Sequence, residues 1–176
     1  MISPDQTGEL VEATYSWARS LETAFGAPEP RGLGGRESVA RQVAAAVARA
    51  RQRIVLLSPA DGPADRGFGL GPLTGVLADS ARGGRDVRLL LGGKRPWRAE
   101  RSAEWTALAG LQEAGVSLRA VPGPVQPMLL ADAVVLLGSA RETPAGQAEV
   151  LQVAERSAAR VAHHLADMLW ETAEPL

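Results

Sequence analysis

A chain of 176 residues, 45% of them hydrophobic, is long and apolar enough for one compact domain with a real core. Its net charge of −1 argues against a nucleic-acid surface spread over the whole chain, because neutralising phosphates takes clustered cations. The absence of cysteine excludes disulfides, thiolate zinc sites and cysteine nucleophiles, and makes a reducing cytoplasm the simplest setting.

The first residues have neither a basic start nor a continuous apolar run, so they are not read as a secretory signal. Residues 7–25 predict a helix, with Leu10, Trp17 and Leu21 at helical spacing. A Pro- and Gly-rich linker follows, up to residue 33. A second helix is expected over 37–51, where Val39, Val43 and Val47 step by four and arginines fill the other face. Residues 54–58 (IVLLS) read as a buried strand, and 59–71 as a long loop with four glycines. A helix over 72–82 ends at Gly83-Gly84, and VRLLLG (87–92) forms a second buried strand.

The loop GGKRPWRAE leads to a helix over 102–114 that stops at Gly115. SLRAVPG gives a third strand, and MLLADAVVLLG a hairpin with Asp132 near its turn. EVLQVA adds a further strand. An amphipathic helix over 155–172 closes the chain, with Val161, Leu165, Met168 and Leu169 on one side. Alternating strands and helices in the first half imply parallel crossovers, and the hairpin adds antiparallel pairing. The expected fold class is a mixed-sheet α/β sandwich. No apolar stretch approaches the length of a membrane span.

Residues 128–139 read MLLADAVVLLGS, and this segment resembles a phospholipase D half-site. There a strand carries His-x-Lys, four residues follow, then Asp, and a Gly-Ser closes the next strand. Asp132, Gly138 and Ser139 fall in register, while Val125 and Pro127 stand where the His and Lys would be. A valine cannot attack phosphorus and a proline side chain cannot hold a phosphate by charge. The resemblance therefore implies a phospholipase D-like half-domain that binds rather than hydrolyses.

The chain is also similar to the sensor domain of TrmB-type regulators, including actinobacterial proteins that add a LuxR-type DNA-binding domain. The likeness rests on motifs in order. Gly35-Arg36-Glu37 opens a helix leading to Ala50 and Ile54. Gly84 precedes Val87-Arg88, and Gly115 precedes Val116, Leu118 and Arg119. Met128 stands four residues before Asp132, and Trp170, Ala173, Pro175 and Leu176 form the ending. It covers residues 34–176, with 1–33 as a separate N-terminal helix and linker. It implies a freestanding sensor domain without its helix-turn-helix, hence no direct nucleic-acid contact, and it implies a homodimer, since phospholipase D halves pair.

Lys94, Arg95, Trp97 and Arg98 crowd one loop, which offers cations and an indole to an anionic or aromatic ligand, or else is a solvated loop whose Trp packs on its neighbour; the first three join the candidate ligand set. Lys94 is the only lysine against eighteen arginines, the usage of a high-GC bacterial genome, and this bias weakens any argument from a single Arg. Arg88 and Arg119 interrupt apolar strands, where they either line a cavity or end at a sheet face. Arg119, Gln126, Met128 and Asp132 complete the candidate ligand set. Asp132 also suits a plain turn role, satisfying local amides. His163 and His164 are adjacent on a helix, about 100° apart, and cannot form a facing metal pair. Neither Ser58 nor Ser139 sits on a nucleophile elbow. No metal or cofactor is expected.

The function expected is a ligand-binding and dimerisation domain of a bacterial regulator, taking a small molecule or peptide and working with a regulator protein. The alternatives are a small biosynthetic enzyme that reuses the fold for a non-phosphodiesterase reaction, and an inhibitory partner that forms mixed dimers.

Overall fold

Three apolar runs, each preceded by a helix, build the middle of a seven-stranded mixed sheet. The computed structural model describes residues 4–25, 35–59, 67–93, 103–138 and 150–176. After α1 (Pro4–Phe25) and α2 (Gly35–Arg49), the strands β1 (Arg53–Pro59), β2 (Asp86–Gly93) and β3 (Ser117–Pro122) run parallel. The crossovers pass through α3 (Leu70–Arg82) and α4 (Ala103–Glu113). Both helices stop the same way. Gly84 and Gly115 take positive φ, and the next amide, of Arg85 or Val116, bonds back to Ser80 or Leu111. This Schellman ending needs a left-handed residue, which is why glycine stands at each position.

On the other side of β1 the sheet turns antiparallel. β4 (Met128–Ala131) pairs with β1, β5 (Val134–Gly138) with β4, and β6 (Val150–Val153) with β5. After α5 (Arg156–Thr172), the two-residue β7 (Glu174–Pro175) lies along β3. The order is β6-β5-β4-β1-β2-β3-β7. The expected mixed α/β sandwich is what forms.

Helices cover both faces of the sheet. Ile54, Leu56, Leu89 and Leu91 meet Val39, Val43 and Val47 of α2, Leu73 and Leu77 of α3, and Leu108 and Leu111 of α4. Val55, Leu57, Leu90, Met128 and Leu130 meet α5 and α1. Strands buried on both faces need no polar alternation, so β1 reads as an unbroken apolar run and β2 as one interrupted only by Arg88.

The two helices on the second face depart from expectation in how they pack. Val161 and Met168 of α5 are 44% and 40% exposed, and the sheet side is Ala158, Ala159, Ala162 and Ala166 with Leu169 and Trp170. Small side chains let the helix axis approach the sheet, so alanine rather than the larger apolar residues faces the core. In α1 the buried seam is Thr7, Thr14, Ala18 and Leu21, while Leu10, Val11 and Trp17 pack at its margins. No helix among the described residues is long and apolar enough to cross a membrane.

Candidate functional site

The segment that resembles a half-site lies where β2 ends and β4 begins, and its side chains pack closely onto neighbouring backbone. A Cβ built on Gly92 would lie 2.6 Å from both methyl carbons of Val125 and 2.9 Å from the Gly123 carbonyl. A Cβ on Gly138 would lie 2.8 Å from the Pro127 Cβ and 3.1 Å from the Phe68 ring. Val125 and Pro127 thus press onto backbone that only glycine leaves open. They also go to different places. Val125 joins the core beneath α5, whereas Pro127 meets Gly138 beside Phe68, which belongs to the core beneath α2 and α3. A nucleophile and a phosphate-holding cation must converge on one phosphate, and these two positions diverge.

Between them Gln126 is buried, and its amide donates to the carbonyls of Gly138 at 2.7 Å and Pro127 at 3.3 Å. It ties the start of β4 to the end of β5. Met128 is fully buried in the core beneath α5. Phe68, also fully buried, is held by the Ser58 hydroxyl, which donates to its carbonyl at 2.8 Å. Gln126 and Met128 were expected to touch a ligand. In the structure the Gln126 amide is spent on backbone and the Met128 side chain has no exposed surface.

Asp132 is not part of this cluster, since the whole of β4 separates it from Val125. It sits at the β4–β5 turn with φ of 52°, a left-handed conformation that Asp tolerates better than most residues. Its carboxylate accepts the amides of Arg51 at 2.7 Å, Arg53 at 2.9 Å and Gln52 at 3.1 Å, and its own amide donates to the Arg53 carbonyl. Burial pushes the carboxyl up, but the three amides and nearby His163 outweigh it and hold the group below the usual carboxylate range. The turn role is the one it fills. His163 Nε2 lies 2.8 Å from the Asp132 carbonyl and, since a carbonyl only accepts, carries the proton.

Arg119 also has a different task. Arg53, Arg88 and Arg119 line the start of the parallel strands beneath α5. Arg53 pairs with Asp167 and, at 3.6 Å, with Asp86. Arg88 lies 3.2 Å from Asp86 and 3.5 Å from Asp167. The Arg53 hydrogen bond acts against partial burial to hold the Asp167 carboxyl below its ordinary range, with help from the charge of Arg53 and then Arg88. Arg88 and Arg119 stand over the Trp170 ring at 5.4 and 4.9 Å from its centre, and Arg119 donates to the Trp170 carbonyl near the end of α5. These strand arginines dock α5 against the sheet.

Of the seven candidate residues, then, the structure brings Gln126 and Met128 to the half-site and puts Arg119 and Asp132 elsewhere. Lys94, Arg95 and Trp97 lie outside the described residues, as does Ser139. Gly92, Phe68, Asp167 and Trp170 were missed as partners. The paired glycines at the end of β2 were the available signal, because glycine in a strand often marks a close approach. Among the described residues no group of three His, Asp or Glu could hold a metal ion.

No family model and no curated protein sequence matches the chain. Solved structures do. Nuc, a phospholipase D family member from Salmonella typhimurium, aligns with a TM-score of 0.60 at 16% identity, over 77% of this chain and 89% of its own. The fold is phospholipase D-like. NucT from Helicobacter pylori aligns at a TM-score of 0.59 and 11% identity, over 80% of this chain and 92% of its own. TrmBL2, described as an archaeal chromatin protein, reaches 0.62 at 18% identity over 96% of this chain. The chain spans 64% of the length of TrmBL2.

Proposed function

We propose that the chain is a regulatory binding module on a phospholipase D-like scaffold whose hydrolytic half-site has closed. The packing of Val125 on Gly92 and of Pro127 on Gly138 carries this reading. It removes the groups that would attack and hold a phosphate, and also the space in which one would sit. The extent of the structural likeness supports a regulator. The match to TrmBL2 leaves out fewer residues than α1 contains, so α1 belongs to the shared part, whereas the match to Nuc omits nearly a quarter of the chain.

In this reading the domain acts in the cytoplasm as a dimer, takes a small molecule or peptide, and reports occupancy to a regulator protein. The ligand contacts are Lys94, Arg95 and Trp97, on the segment that leaves β2 at Gly93, the strand end against which Val125 packs. Cations beside an indole suit an anionic or aromatic ligand. Such a ligand signals only by favouring one conformation, with coupling of about 1–3 kcal/mol.

Thermal melting across a panel of anionic and aromatic metabolites and short peptides tests this. At ~100 times its Kd a ligand adds about 2.7 kcal/mol of stability, a readable rise in Tm. The rise should vanish in Lys94→Ala, Arg95→Ala, Trp97→Ala and persist in Gln126→Ala. A panel without any shift, or a shift indifferent to the loop substitutions, would remove the ligand from the account.

A further inference from the structure

Parallel pairing of β1 and β2 builds a compact basic patch at the end of the sheet remote from Gly92 and Val125. There α2 ends at Arg49 and β1 starts at Arg53, while α3 ends at Arg82 and β2 starts at Asp86. The two helix-to-strand turns therefore lie side by side, and the Asp86 amide ties them by donating to the Gln52 carbonyl at 2.9 Å. Arg49 and Arg51 stand on the first turn, Arg82 and Arg85 on the second, and all but the half-buried Arg85 are exposed. Arg49 donates to the Ala45 carbonyl, Arg85 to the Ser80 hydroxyl, and Arg82 pairs with exposed Asp79 at 3.1 Å. The next carboxylates are already engaged, Asp86 with Arg53 and Arg88, and Asp132 with the amides of Arg51, Gln52 and Arg53. Among the described residues no ion pair engages Arg49, Arg51 or Arg85. A base near a helix C-terminus complements the macrodipole, but α4 and α5 end without one in their last turn, so the fold does not require two arginines at each end.

We propose that this patch docks a short acidic segment of the regulator protein, whose carboxylates meet Arg49, Arg51, Arg82 and Arg85. This rests on the regulatory reading above and names the surface through which the domain reports. The planar fork of a guanidinium matches a carboxylate with two parallel hydrogen bonds, which suits arginine to such a contact. The patch is short because acids bound it on both sides. The neighbouring turn from α4 to β3 carries Glu113, and the β4–β5 turn on the far side of β1 carries Asp132. A duplex nucleic acid is the less favoured occupant, since it carries a charge about every 1.7 Å of its axis and would run on from the arginines toward those carboxylates.

The test is fluorescence anisotropy of a labelled hexaglutamate peptide with the full chain at low ionic strength. The peptide should bind, and more weakly as salt is raised. Arg51→Glu, Arg82→Glu reverses one exposed base on each turn and should weaken binding by about tenfold or more. The same charge change in Arg156→Glu, Arg160→Glu, on α5, should leave it unaltered. Circular dichroism should be unchanged in both, and Arg51→Gln, Arg82→Gln should give a smaller loss, which guards against a reversal that disturbs the fold. Absence of binding, or an equal loss in the two reversals, would overturn the patch. The assay needs no ligand, so a metabolite panel without a melting shift would leave this surface standing. Loss confined to Lys94→Ala, Arg95→Ala, Trp97→Ala would put the peptide on the ligand loop, overturning this surface and keeping the ligand reading. Duplex DNA held more tightly than the peptide, and released by the Arg51, Arg82 reversal, would assign the patch to nucleic acid and overturn it too.

Discussion

Gly92 and Val125 form the contact on which the closed half-site depends. With a Cβ position 2.6 Å from both valine methyl carbons, Gly92→Ala forces valine or backbone to move. Overpacking of this kind costs about 1–3 kcal/mol. Val125→Ala removes the clashing methyl groups and opens a small cavity, while the Gly123 carbonyl stays close. The double variant should therefore recover part, but not all, of the loss. Urea unfolding of the four proteins should give a coupling energy of about 1 kcal/mol or more, and additive losses would mean that the two residues do not touch. The resemblance aligned Val125 and Pro127 with the His and Lys of a phospholipase D half-site but could not say what these residues pack against. That answer depends on Gly92 and Gly138, which come from other strands.

At the scale of elements, the β4–β5 turn is joined to the entry of β1 through the Asp132 carboxylate and to α5 through His163, and Asp167 joins α5 to Arg53 and Arg88. Both carboxyls are held below their ordinary range. Their contribution is thus fully present above the unfolded value of about 3.9 and is lost as pH falls through the lower folded value. Asp132→Asn keeps a residue tolerant of the left-handed turn but turns an amide NH2 toward a backbone N–H. It should cost about 1–3 kcal/mol at neutral pH. It should also flatten the acid limb of the stability curve, as measured by urea unfolding at a series of pH values. Parallel curves for the two proteins would contradict the role given to the carboxylate.

Elements were legible where period and punctuation agree. Val39, Val43 and Val47 announced the face of α2, and Gly84 and Gly115 announced the ends of α3 and α4. The seams of α1 and α5 were legible only in part, because threonine and alanine carry most of them and large hydrophobic residues, Leu21 in α1 and Leu169 with Trp170 in α5, mark only their C-terminal ends. β7 has only two residues and exists by pairing with β3, and the task of Arg119 depends on Trp170 far along the chain. Neither has a local signature.

The whole molecule is a phospholipase D-like sandwich, and on the reading proposed above the end of the sheet that would hold a reacting phosphodiester is occupied by its own side chains. Val125, Gln126, Pro127 and Phe68 are all buried there. On the proposed reading, hydrolysis would need a nucleophile, a cation and room for the phosphate, and the packing of Val125 and Pro127 leaves none of these at that end among the described residues. The most direct measurement is steady-state hydrolysis of a chromogenic phosphodiester and of single-stranded DNA by the purified chain at high protein concentration. The account predicts release no faster than buffer. Turnover that follows the protein peak through successive columns and saturates with substrate would contradict it.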